Sequence, residues 1–168
     1  MDPKLSLPLF LKIITCDFNF NSDKFENVHI RILYDKGNAD AYEEYQIACD
    51  FMSRNSDLKI EGLDIIFEGV NFFSPDSILN GYDSQNYNVL IIAGNNENGL
   101  EELLDKLSES NIRTFSFNPE LISNGIAVSV KAQEKKNSII VNLDAAQSEG
   151  SKFGAHLLKM CSIYEGAR

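Results

Sequence analysis

The amino-acid sequence predicts an α/β fold, a three-layer αβα sandwich built on a mostly parallel sheet of about six strands. Short apolar strand patterns alternate with helical patterns through most of the chain. The strongest strand, Tyr87 to Gly94, is apolar on both faces, as expected of a central parallel strand with helices on both sides. Near the C-terminus, two more strands are joined by a short polar stretch that permits only an antiparallel hairpin, and a closing helix follows.

The first element is an apolar segment, Leu5 to Ile14, whose composition suggests the core of a secretory signal peptide. Lys12 interrupts it, however, and no small-residue cleavage site follows. We therefore expect a helix of the mature protein that begins near Pro8. Its inward-facing residues are expected to be Leu9, Ile13 and either Phe10 or Ile14.

The middle of the chain predicts alternating strands and helices. Ser74 suits the cap of a helix with proline in its first turn, and Gly125 suits the stop after a short helical turn. The predicted strands are Val28 to Tyr34, Leu63 to Gly69, Tyr87 to Gly94 and Ile112 to Phe117. The predicted helices are Ala39 to Arg54 (with Tyr42, Tyr45, Cys49 and Met52 at helical spacing), a short one from Ser74, Asn98 to Ser108, and Pro119 to Asn124.

The closing hairpin is expected to consist of Ile126 to Lys131 and Ser138 to Leu143. Asp144 is expected to cap the helix that follows. The apolar face of this final helix is expected to be Phe153, Leu157, Met160, Cys161 and Tyr164. No linker or repeat divides the chain, so residues 1–168 are expected to form a single domain.

The composition disfavours several classes of partner. The chain has 25 acidic and 15 basic residues and a net charge of −10. Nucleic acids and anionic membrane surfaces are held mainly by lysine and arginine, so neither is expected as a partner. No apolar stretch is long enough to span a bilayer, so direct insertion into a membrane is not expected either.

The residues most often used in catalysis and metal binding are few and scattered. Cys16, Cys49 and Cys161 form no CxxC pair and no cluster with histidine, so a zinc site is not expected. At most one disulfide can form among them, and the sequence leaves open which two would pair. His29 and His156 lack a partner at the spacing of a catalytic triad or metal motif. We therefore expect neither catalysis nor a metal or other cofactor.

A candidate binding surface lies at the carboxyl ends of the predicted parallel strands, where open α/β sheets bind ligands. These ends carry Asp35, Asn95, Asn96 and Asn118. Side-chain amides both donate and accept hydrogen bonds, so this set suits a polar ligand or a partner's backbone better than bond-breaking chemistry. The loop after the central strand precedes a helix, as anion-binding loops do, but it lacks the GxGxxG and P-loop patterns and contains an acidic residue.

The most specific pattern lies between Asn124 and Tyr164. A glycine before the hairpin is followed by NLDAA, by a polar stretch that contains glycine, and by a helix that contains LLK. This segment closely resembles the C-terminal signature of the YfiR/HmsC-like family of small extracytoplasmic bacterial proteins. The matching residues are Gly125, Val141, Asn142, Leu143, Ala145, Ala146, Gly150, Phe153, Leu157, Leu158 and Lys159.

The resemblance implies regulation rather than catalysis. Members of this family are typically non-enzymatic periplasmic proteins, and the best understood ones restrain a membrane-bound diguanylate cyclase by contacting its sensory domain, which affects cyclic-di-GMP and biofilm formation. It therefore implies a membrane-bound sensory protein, either a diguanylate cyclase or a sensor kinase, as the partner, and it allows a homodimer. The implied location is the periplasm or another exported compartment. The cytoplasm is the alternative, because the chain has no recognisable signal peptide.

Two other classes of function stay open. The first is a small polar-ligand binding module resembling one lobe of a periplasmic binding protein, with a pocket lined by Asn95, Asn96 and Asn118. The second is an enzyme, which would need convergent titratable groups that the linear spacing hides.

Overall fold

The computed structural model describes residues 2–72, 74–95, 99–108, 110–132 and 137–166. The strands are β1 (Asn27–Tyr34), β2 (Lys59–Ile60), β3 (Leu63–Asn71), β4 (Tyr87–Ile92), β5 (Ile112–Ser116), β6 (Val128–Lys131), β7 (Ser138–Asn142) and β8 (Ser162–Tyr164). The helices are α1 (Pro3–Ile14), α2 (Ala39–Arg54), α3 (Pro75–Leu79), α4 (Leu100–Leu107), a 3₁₀ helix (Pro119–Asn124), α5 (Leu143–Ser148) and α6 (Ala155–Met160).

The strands form one eight-stranded sheet in the order β2-β3-β1-β4-β5-β6-β7-β8. The run from β3 through β1, β4 and β5 to β6 is parallel, whereas β2 and β7 are antiparallel to their inner neighbours. The α/β class and the hairpin are thus confirmed. The strand count exceeds the predicted one because β2 and β8 are too short to show an alternating pattern.

The order of the strands reverses direction at β1. The chain moves from β1 to β3 on one side and then returns to place β4 on the other side. The point between β1 and β4 is therefore the topological switch of the sheet, where the connections leave in opposite directions and a crevice forms between them.

Helices cover both faces of the sheet and divide the core in two. On one face, α1 and α2 pack with Leu157 of α6 over alternate residues of the central strands, including Ile30, Val89 and Phe115. On the other face, α3, α4 and the 3₁₀ helix pack over a second cluster. Burial on both faces explains the unbroken apolar sequence of β4, in which every residue is buried.

The first helix begins five residues earlier than the expected start near Pro8. The Asp2 side chain accepts a hydrogen bond from the Lys4 backbone N–H at 2.9 Å, and Pro3 occupies the first turn, so these residues make a helix start. Pro8 lies inside the helix and is exposed. Phe10 and Ile14 are both buried with Leu7 and Ile13, whereas Leu9 is half-buried.

The middle helices follow the predicted ranges with small shifts. The buried stripe of α2 is Ala41, Ala48 and Met52. Tyr42 is 38% exposed, because it lies beside this stripe rather than on it. The fourth helix begins at Leu100 with Gly99 as its N-cap, and the expected start at Asn98 lies outside the described residues.

The single final helix predicted for the C-terminal segment is wrong. The chain forms α5, then an extended stretch, then α6, and it ends in β8 beside β7. Gly150, at φ +82°, ends the first helical segment. Tyr164 therefore lies in a strand, Cys161 ends α6, and Met160 is 57% exposed.

The cap of α5 also differs from the expectation. Asn142 is the N-cap, because its side-chain oxygen accepts a hydrogen bond from the Ala145 N–H at 3.1 Å. Asp144 lies in the first turn instead. Both residue types suit this region of a helix, so the local pattern did not distinguish them.

Candidate functional site

A crevice of about 320 Å³ opens at the carboxyl ends of the parallel strands, which we call the carboxyl edge. It lies at the topological switch, between the loops that follow β1 and β4, and reaches the loop after β5. Its lining is mostly polar and consists of Asn38, Asp40, Glu44, Gly94, Asn95, Asn118 and Glu120.

The start of α2 forms one wall of the crevice. Asn38 caps this helix, since its Oδ1 accepts a hydrogen bond from the Ala41 N–H at 3.1 Å. Residues four apart lie on the same side of a helix, so Asp40 and Glu44 stand one above the other. The cap thus directs two carboxylates along the first turns of α2 towards the crevice.

The loop after β4 is tied to this wall by one hydrogen bond. Glu44 Oε2 accepts from the Gly94 N–H at 2.7 Å. Gly94 has a φ of +68°, and a Cβ there would come within 2.6 Å of the Ala41 Cβ, so only glycine fits. Burial raises the pKa of Glu44, and the bond from Gly94 partly opposes that rise.

The opposite wall is built on Asn118, which caps the 3₁₀ helix. Its side-chain oxygen accepts from the Glu120 N–H at 3.0 Å, and its amide nitrogen donates to Asn95 Oδ1. Its backbone N–H donates to Ser116 Oγ at 3.0 Å. The amides of the two loops are therefore held together at the mouth of the crevice.

The structure brings together two of the four residues that the sequence suggested. Asn95 and Asn118 line the crevice, whereas Asp35 does not, since its Oδ1 accepts from the Gly37 N–H at 2.7 Å within the turn before α2. Asn96 lies outside the described residues.

Sequence reasoning missed Asn38, Asp40, Glu44 and Glu120, which line the same crevice. The signal that could have found them is positional. A helix that follows a parallel strand begins at the carboxyl edge, so its cap and first turns face the same space as the strand ends.

The crevice favours partners that carry positive charge or donate hydrogen bonds. Three carboxylates and three amides face it, and none of the described residues that line it is basic. The described lining also contains no histidine, cysteine or serine. Within the described ranges, no group of histidine, cysteine, aspartate or glutamate is arranged to hold a metal ion.

The histidines and cysteines lie elsewhere. His29 is buried beside β3, where its Nε2 is 2.9 Å from Glu68 Oε1, and Arg31 Nε lies 2.7 Å from the same oxygen. His156 is exposed on α6. All three cysteines are free thiols. Burial, with a smaller effect from nearby Cys16, raises the pKa of Cys161 to about 11.

A second polar cluster lies at the amino ends of the same strands, which we call the amino edge. Asp17 Oδ2 accepts from the Tyr87 hydroxyl at 2.7 Å. The Arg113 guanidinium lies 4.2 Å from the centre of the Tyr87 ring, with its Nε 3.7 Å from Asp17 Oδ2. Arg113 Nη1 donates to the Asn111 carbonyl at 2.6 Å. These three side chains are buried, so the cluster holds loops onto the sheet.

Glu149 extends this cluster under β5. Its Oε2 accepts from the Thr114 N–H at 2.8 Å, and its Oε1 accepts from the Thr114 hydroxyl. The same hydroxyl oxygen accepts from the Ala127 N–H at 3.0 Å. Burial raises the pKa of Glu149 to about 8, against the opposing effect of the bonds from Thr114.

No helix among the described residues is both long and apolar enough to cross a membrane.

Solved structures share this fold at low sequence identity. The chain is similar to the ABC domain in complex with L-Trp from Streptococcus pneumoniae, with a TM-score of 0.64, 11% identity, and coverage of 97% of this chain and 60% of that one. A conserved domain protein from Vibrio cholerae gives a TM-score of 0.61 at 11% identity, covering 94% and 59%.

A ligand-free, open substrate-binding protein with adhesive properties from Clostridium difficile gives a TM-score of 0.56 at 12% identity, covering 87% of this chain and 58% of that one. The chain thus spans about three-fifths of the length of each of these proteins. At such identities the likeness shows the fold alone.

Family comparison is more specific. No curated protein matches the sequence. The family model described as YfiR/HmsC-like matches residues 71–162, which is more than half of the chain. This range begins at the end of β3 and contains all the matching residues of the signature, from Gly125 to Lys159, as well as Asn95, Asn118 and Glu149. The chain belongs to the YfiR/HmsC-like family.

Proposed function

We propose that this protein is a non-enzymatic, extracytoplasmic regulator that binds the sensory domain of a membrane-bound signalling protein, such as a diguanylate cyclase or a sensor kinase. The observation that carries the proposal is the family match over residues 71–162. We further propose that residues 1–168 act as a single domain in the periplasm or another exported compartment.

The crevice at the carboxyl edge supports recognition as the mode of action. Its described lining offers carboxylates and amides, which suit hydrogen bonds and ion pairs with a partner surface. The described lining has no serine, cysteine or histidine, which most often serve as nucleophile and base in acyl transfer. We therefore propose that the contact surface of the partner is basic, since charge complementarity speeds and orients association.

The test uses the purified chain and the purified sensory domain of a membrane-bound cyclase or kinase encoded beside its gene. Calorimetry should show saturable binding that weakens as the salt concentration rises, because exposed charges are screened. The same addition should change the activity of the full-length signalling protein in membrane vesicles. Absence of both binding and activity change, with the chain shown to be folded, would contradict the proposal.

A second candidate is a small polar-ligand binding module. Two observations favour it, namely the likeness to substrate-binding folds and the position of the crevice at the topological switch. A crevice lined by carboxylates suits a ligand with an amino group. Thermal unfolding in the presence of amino acids, diamines and neutral sugars separates the candidates, because a binding module should be stabilised by one amine-bearing compound at millimolar concentration.

A further inference from the structure

A second cavity, of about 510 Å³, lies between α1, the start of β7 and α6. We call it the lysine groove. Its lining consists of Leu9, Lys12, Ile13, Cys16, Asn137, Ile139, Leu157, Lys159 and Met160. It shares no residue with the crevice at the carboxyl edge.

The interior of the lysine groove is apolar. Ile13 and Leu157 form a buried floor, at 1% and 4% exposure. Leu9 and Ile139 are half-buried along its walls, and Met160 is 57% exposed at its rim. Methionine is flexible and polarizable, so it adapts to apolar ligands of different shapes. An apolar chain placed here would gain contacts that water does not supply.

The charges around the lysine groove oppose those of the whole protein. The chain carries a net charge of −10, yet the charged residues of the lining are Lys12 and Lys159. None of the described lining residues is acidic. Each lysine stands in the last turn of its helix and is exposed, with an ammonium group free to reach the rim. The lysine groove therefore attracts an anion that most of the surface repels.

The volume of the lysine groove suits a small ligand. Ligand pockets in proteins enclose about 300–1,000 Å³, and the lysine groove lies within that range. An extended hydrocarbon chain of moderate length fits.

We propose that the lysine groove binds a free fatty acid in monomeric form, with its hydrocarbon chain between α1 and α6 and its carboxylate at Lys12 and Lys159. An apolar interior with cations at its rim matches both parts of such a ligand. The inference does not depend on the proposed regulatory function, because it concerns a different surface.

Calorimetry of the full chain with dodecanoate, below the concentration at which dodecanoate forms micelles, tests the proposal directly. We expect one site per chain. Affinity should rise about fourfold for each methylene added between octanoate and dodecanoate, since each buried methylene contributes a similar free energy. Dodecanol should bind about tenfold more weakly, because it lacks the charge-assisted contact. Absence of dodecanoate binding, or binding only to vesicles of anionic phospholipid, would overturn the proposal.

Variants locate the ligand. K12M/K159M keeps the aliphatic stems and removes both charges, so its affinity for dodecanoate should fall to that for dodecanol. K4M/K24M is the control, because it changes two exposed lysines outside the lysine groove, and it should bind dodecanoate like the parent. Ile139→Trp fills the cavity and should abolish binding of both compounds, which keeps the test decisive even if the double variant does not fold. Unchanged dodecanoate affinity in a folded K12M/K159M or Ile139→Trp protein would refute the assignment.

Discussion

At the amino edge of the parallel strands, polar side chains are buried and bond one another, whereas at the carboxyl edge they are exposed or half-buried around an open crevice. Asp17, Tyr87 and Arg113 are at most 4% exposed at the first edge. Asp40 and Glu120 are exposed at the second. Buried polar groups are costly unless all are paired, so the amino edge contributes chiefly to stability. Exposed groups cost little, and the carboxyl edge remains available for binding.

The family signature belongs to the buried contacts that stabilise the fold rather than to the crevice. Asn142 and Gly150 shape α5 and its end, and Glu149 between them reaches back to Thr114 in β5. The signature therefore identifies the family through how the C-terminal segment docks, whereas the crevice is built from loops that precede it. The residues that identify the family are therefore distinct from those that line the crevice.

Arg113→Met should have the largest effect and tests whether the amino edge is a stabilising cluster. Removal of the guanidinium leaves Asp17 buried without its cation, so we expect a loss of about 3–5 kcal/mol in the free energy of unfolding. Arg54→Met is the matched control, because Arg54 is exposed and paired with Asp50 at 3.0 Å within one helix. It should cost no more than about 0.5 kcal/mol. Equal losses for the two variants in urea unfolding would show that the buried cluster is no more stabilising than an exposed ion pair.

Glu149 should make the stability of the protein depend on pH. Burial raises its pKa to about 8 in the folded state, from an ordinary value of 4.5. Between these values the folded state binds more protons than the unfolded chain. The free energy of unfolding should therefore fall by about 1.4 kcal/mol per pH unit as pH rises through this window.

Glu149→Gln mimics the protonated carboxyl and can still bond both groups of Thr114, so it should remove this dependence. Glu26→Gln, at an exposed site, should leave it in place. Urea unfolding at intervals from about pH 5 to pH 9 measures the slope. Parallel slopes for the parent and Glu149→Gln would show that the buried carboxyl is not the group that titrates.

Gly94→Ala probes how rigidly the carboxyl edge is held. The new Cβ would meet Ala41 at 2.6 Å and occupy a backbone conformation with φ of +68°. We expect a loss of about 2–3 kcal/mol from the combined strain and clash. Gly62→Ala has a comparable φ of +86° but no atom within 4 Å, so it should lose only about 1 kcal/mol. Thermal unfolding that ranks Gly62→Ala as the more damaging change would contradict this account.

Much of the fold could be predicted because its signals are local. The apolar run of β4 required a central strand, and Gly125, which has a φ of +107°, ends the 3₁₀ helix as expected. The prediction of a single final helix was wrong because, although Gly150 marks a local stop, the path of the chain around it depends on distant contacts. Glu149 bonds Thr114, 35 residues away, and β8 exists only through its pairing with β7.

The sequence predicted only those residues of the candidate site that directly follow a strand. Asn95 and Asn118 follow strands directly, and the carboxyl-edge rule found them. Asp40 and Glu44 stand at the start of the helix after β1, so their position indicates the carboxyl edge, but the sequence does not reveal that β1 lies beside β4, which brings them to this crevice. The lysine groove was missed for a similar reason, since Lys12 and Lys159 come from opposite ends of the chain.

Neutralising carboxylates at the carboxyl edge should have the smallest effect on stability. It is also the sharpest test of the contrast between the two edges. D40N/E120Q changes two exposed carboxylates and should alter the free energy of unfolding by less than about 0.5 kcal/mol. The control D23N/E26Q makes the same change in charge before β1, towards the amino edge. If the carboxyl edge is the contact surface, only D40N/E120Q should weaken binding of the sensory domain and reduce its dependence on salt, because only there do the charges face the partner. Equal weakening by both variants would instead indicate attraction by the net charge of the protein, with no preferred edge.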